Sequence, residues 1–169
     1  TILKGHYFSL NGKDKKKLSP LSGSRDKMIL IEVLHEAGVY PKTGFYGANL
    51  IGGPVEKVGR LKYIDGCTDS LLIPPVKLGD PCFNHLHFPE NIDQTPHTHP
   101  SHRIGMVTSG HGECITPFGH LPLETNMIFV IKAHDGVTDK EGLDGKMYPI
   151  GTHKFKTTDS VMNVVAFHP

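Results

Sequence analysis

From residue 61 onward, glycine and proline divide the chain into short apolar segments. The 169 residues include 19 glycines and 13 prolines. Turn-forming pairs such as Asp65-Gly66, Pro74-Pro75 and Ser109-Gly110 lie between the apolar segments, and each pair suits a tight reversal of the chain. Because short strands joined by such turns are typical of antiparallel sandwiches and barrels, the sequence predicts an all-β domain.

The strand boundaries follow from the same pattern. Residues 28–34 are interpreted as a buried strand, since consecutive apolar residues suit burial on two faces; a short helix ended by Gly38 is the alternative. Residues 1–26 are interpreted as an irregular arm, and the charged, glycine-containing segment 135–146 as an exposed loop. In the regular region, strands are predicted over 61–64, 70–73, 82–88, 103–108, 113–116, 127–133 and 161–167.

Length and composition limit the kinds of partner. A chain of 169 residues fits one domain; we expect residues 1–60 to form an arm and flanking strands packed on a barrel of residues 61–169. The 18 basic and 17 acidic side chains leave a formal charge of +1, which argues against nucleic-acid and membrane-surface partners. Three cysteines are too few and too scattered for a disulfide framework, so we expect a reducing, cytoplasmic location.

A pair of alternating histidines marks a candidate metal site. His97 and His99 lie in the segment Pro96-His97-Thr98-His99-Pro100. In an extended strand, residues two apart point to the same face, roughly 6.6 Å from each other. The flanking prolines suit an edge or an entry to a strand. With a third ligand from elsewhere in the chain, two such imidazoles can bind one metal ion.

Two stretches of this sequence resemble the motifs of the cupin superfamily. The first cupin motif has two alternating histidines, then a glutamate, then a glycine after an apolar strand; His97, His99 and Gly110 occupy the histidine and glycine positions. The second motif is similar to Pro149-Ile150-Gly151-Thr152-His153, with one residue fewer between glycine and histidine. The resemblance covers about residues 70–169. It implies a cupin-type jelly-roll β-barrel with an internal metal ion and, since cupins are often dimers, a homodimer.

Arg103 departs from the cupin pattern because it stands where the motif has its glutamate ligand. A guanidinium stays protonated and has no lone pair to give to a cation. Three hypotheses follow. His97, His99 and His153 form a three-histidine site with open positions, as in the thiol dioxygenases that this pattern resembles; or a bulge turns His102 inward as a replacement ligand; or the pocket holds no metal.

Three further assignments remain open. His134 ends the apolar run 127–133 and is the alternative to His153 as the last ligand. Strict alternation places Arg103 on the face of the paired histidines, where it can bind a substrate carboxylate in bidentate fashion; pairing with a nearby acid or exposure to solvent is the alternative. The second alternating pair, His85 and His87, is interpreted as structural, with pocket lining as its alternative.

These observations favour a metal-dependent enzyme. One divalent ion, Fe, Zn, Ni or Mn, held by neutral imidazoles keeps its charge and open positions for a small, acidic substrate. Iron favours dioxygenase-like chemistry, and the other metals favour isomerase-like or lyase-like chemistry. The alternative is a non-enzymatic cupin domain that binds or senses a small ligand, because one barrel fold hosts many activities.

Overall fold

The computed structural model describes residues 7–10, 29–32 and 50–169, and its regular structure is almost entirely strand. A single 3₁₀ turn, Ile64–Gly66, precedes the fifth strand. In chain order the strands are β1 (Tyr7–Leu10), β2 (Ile29–Glu32), β3 (Leu50–Gly52), β4 (Leu61–Lys62), β5 (Thr68–Ile73), β6 (Cys82–Phe88), β7 (Arg103–Ser109), β8 (His111–Thr116), β9 (Gly119–Glu124), β10 (Ile128–Ile131), β11 (Asp139–Glu141), β12 (Met147–Pro149), β13 (Lys154–Lys156) and β14 (Met162–His168).

Two antiparallel sheets form the body of the fold. The larger has the strand order β10-β7-β14-β6-β5-β4, and the smaller has the order β13-β8-β9. β14 lies between β6 and β7 and pairs with β6 along its whole length, from Met162 opposite Phe88 to His168 opposite Cys82. Non-consecutive neighbours within both sheets are the sign of jelly-roll connections.

The hydrophobic core lies between these two sheets. Alternate residues of the strands that form this core face inward, so one face of each of these strands is apolar. Side chains from β6, β7 and β14 pack in a single buried cluster with side chains of the smaller sheet. The main members are Leu86, Phe88, Val107, Met162, Val164 and Ala166 from the larger sheet and Cys114, Leu123 and Phe155 from the smaller sheet. The predicted all-β, jelly-roll architecture is therefore confirmed.

The opposite face of the larger sheet carries a second cluster. Leu72, Phe83 and Val165 are buried there, and Leu50 of β3 packs against them. β3 belongs to a separate sheet with the order β2-β1-β3, in which β1 runs parallel to β2. The predicted strand in 28–34 is confirmed by β2. The interpretation of 1–26 as irregular is wrong for β1, and the rest of that segment lies outside the described residues.

Several strands lie outside the predicted segments, among them β9 and β11, where local residues disfavour a strand. β9 contains Pro122, which cannot donate to a ladder; the strand tolerates it because β9 is the edge of its sheet. The segment 135–146, interpreted as a loop, contributes β11, which pairs with β12 in a hairpin. Every side chain of β11 is exposed, so the segment lacks the apolar alternation that predicts a strand.

The turn between β7 and β8 explains the glycine of the first motif. Gly110 has a φ of +74°, in the left-handed region that favours glycine. A Cβ at this position would lie 1.8 Å from the carbonyl oxygen of Val161, so any side chain would push β14 away. Within the part of the chain described by the structure, no helix has the length and apolar character needed to cross a membrane.

Candidate metal centre

The backbone brings His97 and His153 together across a short antiparallel bridge. Each N–H donates to the other residue's carbonyl oxygen at 3.0 Å, which fixes the two residues opposite each other. Their ring centroids are 4.5 Å apart. His99 follows two residues later, and its carbonyl oxygen accepts a hydrogen bond of 2.9 Å from the N–H of His134. The His99 ring lies 5.0 Å from the His97 ring and 5.1 Å from the His153 ring.

The three rings present their nitrogens to a common point. One nitrogen from each of His97, His99 and His153 lies within 4.8 Å of the other two. Ligand nitrogens around a tetrahedral zinc ion lie about 3.4 Å apart, given zinc–nitrogen bonds of about 2.1 Å. Small movements of the rings therefore suffice for one ion to contact all three. The geometry fits the predicted three-histidine site; that these residues bind metal stays a prediction.

Hydrogen bonds fix the tautomers of two of these rings. Nδ1 of His97 lies 2.9 Å from the carbonyl oxygen of Thr95, and Nδ1 of His153 lies 2.8 Å from that of Gly151. A carbonyl oxygen only accepts, so both Nδ1 atoms carry the proton and both Nε2 atoms hold a free lone pair. Nε2 of His153 is buried and has no hydrogen-bond partner. A metal ion would satisfy this orphaned atom.

Burial keeps two of the candidate ligands, His99 and His153, neutral. It lowers the pKa of His153 to about 4, with His97 and Arg103 acting in the same direction against the hydrogen bond to Gly151. Burial, followed by the charge of Arg103, lowers the pKa of His99 to about 3. A neutral imidazole is the form that binds a metal ion. At neutral pH both rings are therefore ready to act as ligands without losing a proton.

Arg103 lies directly beside this centre. Its Nη1 donates to the carbonyl oxygen of Ser101 at 2.9 Å, to the Ser101 hydroxyl at 2.6 Å and to the carbonyl oxygen of His102 at 3.2 Å. Its Nη2 lies 3.2 Å from Nδ1 of His99. Its Nε is buried and has no partner. The guanidinium therefore contacts a candidate ligand through Nη2 and keeps a free donor at Nε.

A cavity of about 130 Å³ is lined by two of the candidate ligands, His99 and His153, and by Arg103. Its apolar wall comes from the core, including Phe88, Phe129 and Phe155. Its polar wall includes Tyr63, Asp69 and His168 beside His99, His153 and Arg103. Pockets for drug-sized molecules measure roughly 300–1,000 Å³, so this cavity suits a much smaller ligand.

The polar group formed by Asp69, Asn84, Cys82 and His168 was not predicted from the sequence; Asp69 and His168 also line the cavity. Nδ2 of Asn84 donates to Oδ2 of Asp69 at 2.7 Å, and the sulfur of Cys82 lies 3.3 Å from both Oδ1 of Asn84 and Nδ1 of His168. Burial raises the pKa of Asp69 and lowers the pKa of His168 to about 4. Alternation along β6 does predict Cys82 and Asn84 on one face. No local pattern singles out Asp69 or His168.

The alternative ligands lie outside the three-histidine group. His102 is exposed, and its Nδ1 accepts a hydrogen bond of 2.9 Å from the N–H of Ala133. Nε2 of His134 lies 3.9 Å from a carboxylate oxygen of Asp139. Neither residue is among the three whose nitrogens converge.

The second histidine pair lies on the outer face of the larger sheet. His85 and His87 both contact Oδ1 of Asn163, at 3.1 and 3.0 Å, while Leu86 and Phe88 between and beyond them enter the core. This arrangement agrees with their interpretation as structural residues.

Comparisons with known proteins support the fold. No protein-family model matches the chain, and a search of curated proteins finds no match. Among solved structures, a cupin-like protein from Thermotoga maritima shares 12% identity at a TM-score of 0.51, covering 68% of this chain and 79% of its own. A proposed ethanolamine utilization protein Q from Salmonella typhimurium shares 16% identity at a TM-score of 0.51, covering 72% and 86%. At these identities the likeness shows the fold alone, a cupin-type barrel.

Proposed function

We propose that this chain binds one divalent metal ion through His97, His99 and His153 and that the centre acts on a small acidic molecule in the adjoining cavity. One observation carries the proposal. Three imidazoles from two segments of the chain converge, and the innermost, His153, has a buried, unpartnered Nε2. A buried polar atom without a partner costs about 1–3 kcal/mol, and a metal ion would remove that cost.

The three-histidine ligand set leaves positions open on the ion. When bound, Fe would supply dioxygen chemistry, whereas Zn, Ni or Mn would supply Lewis-acid chemistry of the isomerase or lyase type. The residues of this chain would bind and orient the substrate and limit the access of water. Arg103 would orient a carboxylate, and the rings of Phe88, Phe129 and Phe155 would limit access of water to the cavity.

A specific observation also favours a second candidate function. The positive charge of Arg103 lies beside the candidate cation site, and this charge weakens metal binding. A barrel that binds a small anion through Arg103 without metal and without turnover is therefore the alternative. The two candidate functions predict a different metal content of the protein.

The test measures metal stoichiometry. Chelator-stripped protein is titrated separately with Zn²⁺, Fe²⁺, Mn²⁺ and Ni²⁺ by calorimetry, with elemental analysis of the protein as purified. We expect about one ion per chain in the wild type, loss of binding in His97→Gln and His153→Gln, and retention in the matched control His102→Gln. Circular dichroism verifies that each variant is folded, because His153 is buried.

Two results would contradict the proposal. A folded wild-type protein that binds none of the four ions would favour the metal-free alternative. Retention of full metal affinity in folded His97→Gln and His153→Gln would show that the ligands lie elsewhere. If metal binds, small carboxylates are then offered to the loaded protein with and without dioxygen, and turnover in only one condition identifies the reaction class.

A further inference from the structure

Arg103 connects the metal centre to the cavity through one side of its guanidinium. Nη1 is fully engaged, since it donates to three oxygens of the turn at Ser101 and His102. These contacts hold the group in place. The opposite side, formed by Nε and Nη2, contacts no oxygen among the described residues: Nε is buried without a partner, and Nη2 contacts only Nδ1 of His99.

This free side is suited to one carboxylate. Nε and Nη2 present two nearly parallel N–H groups, which match the two oxygens of a carboxylate in a bidentate pair. Arg103 lines the cavity, and a small carboxylate bound there would pair with these two donors. A neutral amide of the same shape offers one carbonyl oxygen and no charge, and would bind far less well.

The contact with His99 opposes metal binding. An arginine can only donate, so Nδ1 of His99 accepts and the proton of the neutral ring lies on Nε2. Coordination through Nε2 needs the proton moved to Nδ1, where it would meet the N–H of Arg103. Coordination through Nδ1 needs the lone pair that Arg103 occupies. In both cases the present contact and a metal bond to His99 exclude each other.

We propose that a carboxylate in the cavity and a metal ion at the three histidines bind cooperatively, with Arg103 as the coupling residue. A carboxylate paired with Nε and Nη2 competes with His99 for the Nη2 donors and weakens the contact that opposes metal coordination by that ring. It also neutralises the cation next to the metal. By linkage, a bound metal ion strengthens carboxylate binding by the same factor. The inference rests on the proposed function, since it requires the metal centre.

The experiment measures Zn²⁺ affinity of the stripped wild-type protein by calorimetry in saturating acetate, and in acetamide with chloride at equal ionic strength. We expect acetate to lower the Zn²⁺ Kd at least about fivefold, the lower end of typical allosteric couplings, and acetamide to leave it unchanged. The reciprocal titration should show tighter acetate binding to zinc-loaded protein by the same factor.

Variants of Arg103 show whether an acetate effect on the Zn²⁺ Kd comes from coupling in the protein or from weak binding of acetate to Zn²⁺ in solution. Arg103→Gln should bind Zn²⁺ more tightly than wild type without acetate and lose the acetate effect. Arg103→Lys keeps the charge without the fork of donors and should retain only a reduced effect. Acetate complexation in solution is identical for all three proteins, so it cannot produce these differences.

The outcomes distinguish the coupling from the metal centre itself. Zn²⁺ binding that acetate leaves unchanged in the wild type overturns the coupling and leaves the metal centre standing. An acetate effect of equal size in wild type and Arg103→Gln overturns the role of Arg103. No Zn²⁺ binding in acetate or acetamide overturns both proposals.

Discussion

Acid should destabilise the metal-free protein through His153. This side chain is 2% exposed, and burial lowers its pKa from the ordinary value of 6.5 to about 4. Because the pKa is lower in the folded state, the unfolded chain takes up a proton first as the pH falls. The stabilisation is complete above pH 6.5 and is lost progressively as the pH drops toward 4. Between pH 7 and pH 5 this one ring accounts for about 2 kcal/mol of lost folding free energy.

The assay is urea unfolding at pH 7 and pH 5 in the presence of a chelator. Glutamine at position 153 fills similar space and does not titrate, so His153→Gln is compared with the wild type at both pH values. Other histidines, including His99, titrate in both proteins, and their effect largely cancels in the double difference. We expect the free energy of unfolding of wild type to fall by about 2 kcal/mol more than that of the variant. An equal fall in the two proteins would refute the assignment of a buried, neutral His153.

The remaining predictions concern the loop that carries His153 and the reactivity of the thiols. Gly151→Ala places a Cβ 2.1 Å from the carbonyl oxygen of Lys132, whereas the matched control Gly136→Ala has a similar positive φ and nothing within 4 Å. The melting temperature should therefore fall much more in Gly151→Ala than in Gly136→Ala. Equal falls in the two variants would contradict the packing argument. Iodoacetamide should label half-buried Cys82 long before Cys114, because Cys114 is buried and burial raises its pKa to about 11. Mass spectrometry of protein digests at successive times gives the order of labelling. Faster labelling of Cys114 would contradict this prediction.

The sequence predicts the barrel well where strands have strong apolar character. β6 and β7 begin where the turn pattern places them, and β14 lies within one residue of its prediction. β9 was missed because Pro122 is tolerated only by an edge strand, and which strand forms an edge depends on the whole sheet. Local pattern cannot supply this information.

Some residues of the candidate site could be predicted from the sequence, and others could not. Alternation in the sequence predicts His97 and His99 as ligands, and the nearby Pro149 and Gly151 of the second motif predict His153. The contact between Arg103 and His99 also joins residues that are close in the chain. Asp69 and His168 were missed because they reach the cavity from strands far apart in sequence and carry no spacing signal. Only the pairing of β14 with β6 and of β6 with β5 brings them to one wall.

Arginine in place of the motif glutamate changes which ligands the centre tolerates. In the cupin motif a carboxylate offsets part of the charge of the ion, whereas here the three candidate ligands are neutral and a guanidinium lies 3.2 Å from one of them. A divalent ion and a guanidinium about 5 Å apart repel by roughly 7 kcal/mol at an effective dielectric constant of 20. Asp69 lines the same cavity, but its carboxyl group is hydrogen-bonded to Asn84 and forms no ion pair with Arg103. A small anion in the cavity would supply further negative charge, so the metal-loaded barrel should select small anions over neutral molecules of equal size.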